Sequence, residues 1–476
     1  MRRVRQLAAP IGVGAASASV ATLAGLPVGV ALAMGVVVGL AAWRPCPAPG
    51  PLLPPVSVTP TPPASGPGLE LGPIVAVPPQ AALLVPGQPF WLALDELERH
   101  ALVIGATGAG KTTTLGRLMD ATLGAGWSVV VVDAKGGQLV QVCRRVGLRH
   151  GRPARIWLPG HRDSWTYDPC AGEPTAVGNR LVGAFEHGLN GQVYRNLSQA
   201  VVPLAVRSLL ESGQPCTLDT LRASLDRAHL TGLARRTPDP LLKAELIAML
   251  EDDLHRKTLA GLAGRLRSLR HGLFGAALLP SDRTLDLAAA LAEPGISYLG
   301  LPATAASEDV ALVGRVLIQH LKQLAYAALW SDQSRRALLV FDEFASLGDA
   351  PQLIDLLLQA REARLAVVVS TQHLPRDYAL RSSLAGCGVL VVHQIGWPAE
   401  ARDLAEMLGM RSGMAIQRQV RLGPAGTLTR RLWRGRQALL IGPDELARLP
   451  TGQAAIAVRF AAQRLAMVQV KPLRLE

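Results

Sequence analysis

Three short stretches carry residues that can act on a phosphate ester. The first, Gly105-Ala106-Thr107-Gly108-Ala109-Gly110-Lys111-Thr112, follows the pattern G-x-x-x-x-G-K-[ST]. Its glycines let backbone N–H groups close around a β-phosphate with no Cβ in the way. Lys111 can reach the β- and γ-phosphates, and Thr112 can offer its hydroxyl to Mg²⁺. The helix that runs on from Thr113 adds its positive dipole end. Gly105, Ala106, Thr107, Gly108, Ala109, Gly110, Lys111, Thr112 and Thr113 are therefore the expected ATP contacts. The second stretch is Asp342-Glu343, an acid pair closing the apolar run Ala337–Phe341, which is the Walker B pattern. Asp342 would hold the Mg²⁺ shell, and Glu343 would orient and deprotonate the attacking water. Gln372 supplies the third, at the tip of Leu365–Thr371, where it can touch both γ-phosphate and water.

The elements that must position these groups are short β-branched runs. Ala101–Ile104, Ser128–Val132, Ala337–Phe341, Leu365–Val369 and Gly388–Val392 read as buried parallel strands. Each ends in polar residues, as at the carboxyl edge of an open sheet where ligands collect. The expected fold is α/β: a P-loop NTPase core with a mostly parallel sheet. One such tip, Asp133-Ala134-Lys135-Gly136-Gly137, offers Lys135 either to phosphate or to a neighbouring subunit, or merely as an exposed turn lysine. A helix beginning near Pro351 closes on Ala360-Arg361-Glu362-Ala363-Arg364, with both arginines on one face. Arg361 is the preferred candidate to stabilise γ-phosphoryl charge in the next subunit of a ring. The alternative is an ordinary basic helix C-terminus.

The chain has 476 residues, 49 Lys+Arg against 36 Asp+Glu, and a net charge of +13. Such a balance suits a polyanion or an anionic membrane surface. Aromatics make up only 4%, which disfavours an extended base-stacking platform and points to backbone tracking if nucleic acid is bound. The five cysteines are widely spaced, with no zinc-type pairing, and read as free thiols.

Leu7 to Trp43 hold no charge. One crossing needs roughly 20 residues, so the run suits two short helices, with Gly25-Leu26-Pro27 as the turn. The basic start Arg2-Arg3-Val4-Arg5 stays cytoplasmic, and two crossings return the ATP site to the cytoplasm. A cleaved leader is the competing reading. The expected organisation is a membrane anchor over 1–43, a Pro-rich linker over 44–85 whose second half, from about Gly72, can join the edge of the globular domain, and the motor over 86–177 and 272–476. An all-α insertion occupies 178–271. In that insertion Leu241, Leu242, Leu246, Met249 and Leu250, and Leu259, Leu262, Leu266 and Leu269, form apolar stripes expected in its core. From Arg411 to Arg436 there are seven arginines and no acid, around the turn Gly423-Pro424-Ala425-Gly426. This is a β-hairpin that either lines a pore, rests on phosphates or is a solvated edge.

GATGAGKT, DAKGG, VFDEFASLG, QAREAR and STQ, in that order, and the late GPDELARLPTG resemble the FtsK/HerA superfamily of ring ATPases. Within it they are similar to the type IV secretion coupling proteins of the TraD/TraG type. The resemblance implies a homohexamer in the bacterial inner membrane, multi-pass, with its ATPase domain cytoplasmic. It implies ATP hydrolysis with Mg²⁺ coupled to DNA translocation. Its partners would be DNA, a relaxase or other secretion substrate, and secretion channel components. A strand between the phosphate-loop strand and the Walker B strand is also implied, with Lys111, Asp342, Glu343 and Gln372 in the roles above. A transporter of protein substrates and a nucleotide-gated scaffold with little turnover are the alternatives.

Overall fold

A computed structural model describes residues 67–78, 84–185, 191–302, 307–330, 336–347, 351–423, 426–459 and 463–473. The expected membrane hairpin and the first part of the linker lie outside these residues. Among the described residues no helix is long and apolar enough to cross a membrane.

Eleven strands form the main sheet: β1 (Gly68–Ala76), β2 (Pro89–Ala93), β3 (Ala101–Ile104), β4 (Ser128–Asp133), β5 (Arg155–Trp157), β6 (Ile296–Gly300), β7 (Ala337–Asp342), β8 (Leu365–Thr371), β9 (Val389–Val392), β12 (Gln453–Val458) and β13 (Arg464–Gln469). Between them in the chain, β10 (Met410–Gly423) and β11 (Gly426–Leu439) pair only with each other. The sheet order is β2-β1-β13-β12-β9-β3-β8-β7-β4-β6-β5. From β9 to β5 all neighbours are parallel, and the other four strands extend the sheet antiparallel. Both faces of the parallel part are covered, so its strands, Arg155 of the edge strand β5 apart, are buried at every position and carry no polar alternation.

On one face Val103, Val131 and Val340 pack against Leu115, Leu118 and Met119 of the helix Lys111–Gly124. On the other, Ile104, Val132 and Phe341 pack against the helices Ser307–Ala328 and Pro351–Ala360 and a helical block between β5 and β6. The block opens at Pro174–Ala184 and closes at Asp253–His271. Its helix starts are written in acids and prolines. Glu173, Asp226, Asp239 and Asp252 accept the N–H groups of Ala176, Ala228, Leu241 and His255, and Pro174 and Pro240 take first-turn places. Leu259, Leu262, Leu266 and Leu269 are buried, as are Leu242, Leu246 and Leu250. Leu241 is not: it lies on the opposite side of its helix, 69% exposed, because the buried stripe there runs at four-residue steps.

Two further expectations are corrected. The sheet begins before residue 86, and slightly before the Gly72 from which the linker is expected to join it: β1 buries Leu69, Leu71 and Ile74 between β2 and β13. Its proline, Pro73, faces Pro89, so neither strand wastes an N–H at that register. The helix Pro351–Ala360 also stops short of Arg361. Arg364 takes a left-handed φ of 56°, so Arg361 and Arg364 sit in a turn and not on one helix face.

Candidate nucleotide and hydrolysis site

The phosphate loop leaves β3 and enters the helix Lys111–Gly124. Gly108 and Gly110, at φ 79° and 121°, make the turn that an L side chain resists. Gly105 is needed for a different reason: a Cβ there would come within 2.6 Å of the His393 Cβ. Lys111 Nζ donates back to the carbonyls of Gly105 and Ala106 at 2.5 and 3.1 Å, inside its own loop. Burial lowers the pKa of this ammonium, and Lys135 adds to that, while Glu343 and Asp342 oppose it. Thr112 is exposed at the start of the helix, and Thr113 donates its N–H to Gly110 at 3.1 Å.

Strand β8 separates β3 from β7 and is parallel to both. Ile104 stands beside Thr371, and Asp342 beside Ser370. All three strands thus end at one edge, with β3 and β7 about 10 Å apart by two strand spacings. A chain of polar contacts closes the gap. The Thr107 hydroxyl donates to Gln372 Oε1 at 2.7 Å, and Gln372 Nε2 donates to Glu343 Oε2 at 2.6 Å. Lys135 Nζ lies 4.0 Å from the same Glu343 oxygen. Glu343 leaves β7 with a left-handed φ of 53°, a conformation costing about 1–3 kcal/mol that turns its carboxylate toward β8.

Asp342 is 6% exposed, and burial pushes its carboxyl up to about 6. Asp133 and Glu343 add to this, while Ser370 and Lys111 oppose it. The Asp342 carboxylate and the Thr112 hydroxyl are hard oxygen donors, a chemistry that fits Mg²⁺. Among the described residues no cluster of His, Cys, Asp or Glu could hold a metal by itself. Thr112 and Asp342 fit an ion that takes one or two protein oxygens and completes its shell with phosphate and water.

Lys135 is presented by a rigid loop. The Asp133 carboxylate accepts the N–H groups of Lys135, Gly136, Gly137 and Leu139 at 2.9 to 3.3 Å, and the Tyr298 hydroxyl at 2.7 Å. Burial and the Asp133 charge hold the Tyr298 phenol far above its ordinary pKa. Arg361 is elsewhere. It lines a 340 Å³ cleft with Arg99, His100 and Leu358 at the amino edge of the sheet, one β8 length (roughly 20 Å) from Gln372. Lys111, Asp342, Glu343 and Gln372 are thus brought together within one chain, and Arg361 is not.

Sequence reasoning passed over several supports. His393, at the tip of β9, is fully buried against the loop. Gly452 donates its N–H to the Ala109 carbonyl at 2.9 Å. Glu400 accepts from the Leu374 N–H and, at 3.1 Å, from His373 Nδ1, fixing the segment just after Gln372. Only His393 had a visible signal, a polar residue closing a β-branched run. The other two depend on long-range packing.

Sheet order, cradle and acid pair define a P-loop NTPase fold of the FtsK/HerA type, with a strand between the phosphate-loop and acidic strands. Comparison with known proteins agrees. The family model for the helicase HerA-like C-terminal domain matches residues 82–156. The type 4 coupling protein DotL of Legionella pneumophila is 28% identical over 142 residues, covering 26% of this chain and only 18% of that protein. The conjugative coupling protein TrwB, in an unbound form, superposes with a TM-score of 0.56 at 20% identity, over 81% of this chain and 87% of its own. TrwB with ADP and Mg²⁺ gives 0.57 at 19%, over 82% and 88%. VirB4 of Thermoanaerobacter pseudethanolicus gives 0.53 at 14%, over 86% and 99%. The resemblance drawn from the motifs, to coupling ATPases of the FtsK/HerA type, holds.

Proposed function

We propose that this chain is a membrane-anchored, ATP-hydrolysing DNA translocase, a coupling protein that delivers DNA or nucleoprotein to a type IV secretion channel. One observation carries the hydrolytic part: Thr107, Gln372 and Glu343 form a continuous hydrogen-bonded bridge from the phosphate loop to the acid pair. Backbone N–H groups of the loop bind the β-phosphate, and Lys111 leaves the Gly105 and Ala106 carbonyls to meet the β- and γ-oxygens. Thr112 and Asp342 would hold the magnesium, whose charge would offset the phosphate oxygens. Glu343 takes the proton of the attacking water, and Gln372 orients that water and senses loss of the γ-phosphate. The bound ADP and Mg²⁺ of TrwB support this assignment.

The division into anchor, linker, motor and all-α insertion belongs to the same reading, with the motor's edge moved forward to take in β1. So do the homohexamer, the inner-membrane location and a trans-acting arginine. Arg361 lies outside the site of its own chain, in the cleft with Arg99 and His100. The +13 net charge favours DNA over an uncharged cargo. ATP turnover of the full chain, with and without DNA, tests the proposal. Stimulation of several-fold is expected. Turnover indifferent to DNA, together with binding that ignores salt, overturns the DNA reading.

A further inference from the structure

Strands β10 and β11 are long and, among the described residues, join no other sheet. Their register is continuous from Met410↔Leu439 to Gly423↔Gly426, fourteen opposed pairs with no bulge. At about 3.4 Å per residue the ribbon reaches roughly 45 Å. Two isolated strands are marginal in water, so a ribbon of this length implies a partner.

The register also sorts the residues by face. Opposed residues share a face, and alternate residues along each strand return to it. Arg411, Arg421, Arg430, Arg434 and Arg436 therefore occupy one face, with Gln417 and Gln419 among them. The other face holds Met410, Met414, Ile416, Val420, Leu422 and Trp433, together with the opposed pairs Ser412↔Gln437 and Arg418↔Arg431 and, near the tip, Thr427 and Thr429. Neither strand contains an acid. On the arginine face, Arg411 lies diagonal to Arg436, and Arg421 diagonal to Arg430, so positive charge gathers at the base and again toward the tip. Charges that only discourage edge pairing need no preferred face. These have one, and neither strand supplies an acid to offset them.

We propose that the face carrying Arg411, Arg421, Arg430, Arg434 and Arg436 is the nucleic-acid contact of this protein, tracking the phosphate backbone. The inference rests on the DNA reading above and gives it an address. A two-stranded ribbon is of a size that a DNA major groove admits, and arginine forks suit phosphate oxygens. With glutamines as the other polar residues on that face, the contact is sequence-tolerant.

The test uses the full chain and a fluorescent oligonucleotide, single-stranded and duplex, titrated across a salt series. Wild type is expected to lose affinity linearly in log–log form, by close to one unit of slope per phosphate contact. The variant R411Q/R421Q/R430Q/R434Q/R436Q should flatten that slope by three units or more. The same five positions changed to lysine should restore it, since lysine also neutralises phosphate. Circular dichroism and the unfolding temperature report whether each variant keeps its fold, and R418Q/R431Q, on the other face, should leave the slope within one unit of wild type. Wild type that binds no DNA overturns the DNA reading and this inference with it. Wild type that binds, with the five-glutamine variant showing an unchanged slope, overturns the inference alone. A lysine variant as flat as the glutamine variant overturns it too, by assigning the arginines a structural part.

Discussion

His393 Nε2 accepts the Thr114 hydroxyl at 2.9 Å while its Nδ1 donates to the Gln453 carbonyl at 2.9 Å. One neutral imidazole thus ties the first turn after the phosphate loop to β12, and it fills the space beneath Gly105 and Gly110. The antiparallel half of the sheet is thereby joined to the nucleotide cradle.

Replacing His393 with alanine leaves a cavity under the loop, a hydroxyl without its acceptor and a carbonyl without its donor. The expected loss is about 2–4 kcal/mol of stability, read by denaturant unfolding, with weaker nucleotide binding by titration. The ring also has a pH signature. Burial holds its pKa down to about 4, so the unfolded chain binds the extra proton first. Its contribution is intact above pH 6.5 and is lost as the pH falls toward 4. His393→Gln should therefore shrink the drop in unfolding free energy over that window.

Glu343→Gln should lower ATP turnover by about 10²–10⁴-fold while nucleotide affinity changes little, because the carboxylate is assigned the proton of the attacking water. Turnover near wild type in a phosphate-release assay would remove Glu343 from the chemistry.

Asp342 makes a prediction of opposite sign. Its carboxyl is raised to about 6 in the folded chain, so its charge costs stability once the pH rises through that value. At pH 4 and below, the penalty vanishes. In the absence of nucleotide and magnesium, Asp342→Asn should raise the melting temperature at pH 8 and lose that advantage near pH 4, by differential scanning fluorimetry. The same variant should bind magnesium–nucleotide more weakly.

Lys135 stands 4.0 Å from the Glu343 carboxylate on a loop pinned by Asp133. Lys135→Met should reduce kcat by about tenfold with less than a threefold change in KM, since it loses charge beside the reacting group and not a phosphate anchor. Lys135→Arg should recover part of the rate. A KM effect with unchanged kcat would move Lys135 to nucleotide binding.

The parallel strands were legible because strands buried on both faces leave a run of Val, Leu and Ile that little else produces. The cradle and acid pair were legible because their chemistry is bound to their spacing. What escaped depended on distant partners. Strand β1 was hidden in a proline-rich background, although Leu69, Leu71 and Ile74 belong to its core. The end of the helix before Arg361 is set by a left-handed Arg364, whose carbonyl accepts the Ala337 N–H. Leu241 shows that an apolar helix position is not a buried one.

Gly452 holds the Ala109 carbonyl through its own N–H. The segment that delivers Gly452 leaves the arginine ribbon at Leu439 and passes through one short helix, Pro443–Ala447. Tension that a strand gripped as proposed would apply to the ribbon has, in consequence, a brief covalent path to the back of the phosphate loop. In the proposed translocase this path would link nucleotide exchange to cargo load within a single subunit, and shortening or loosening it should uncouple pulling from turnover without touching either site.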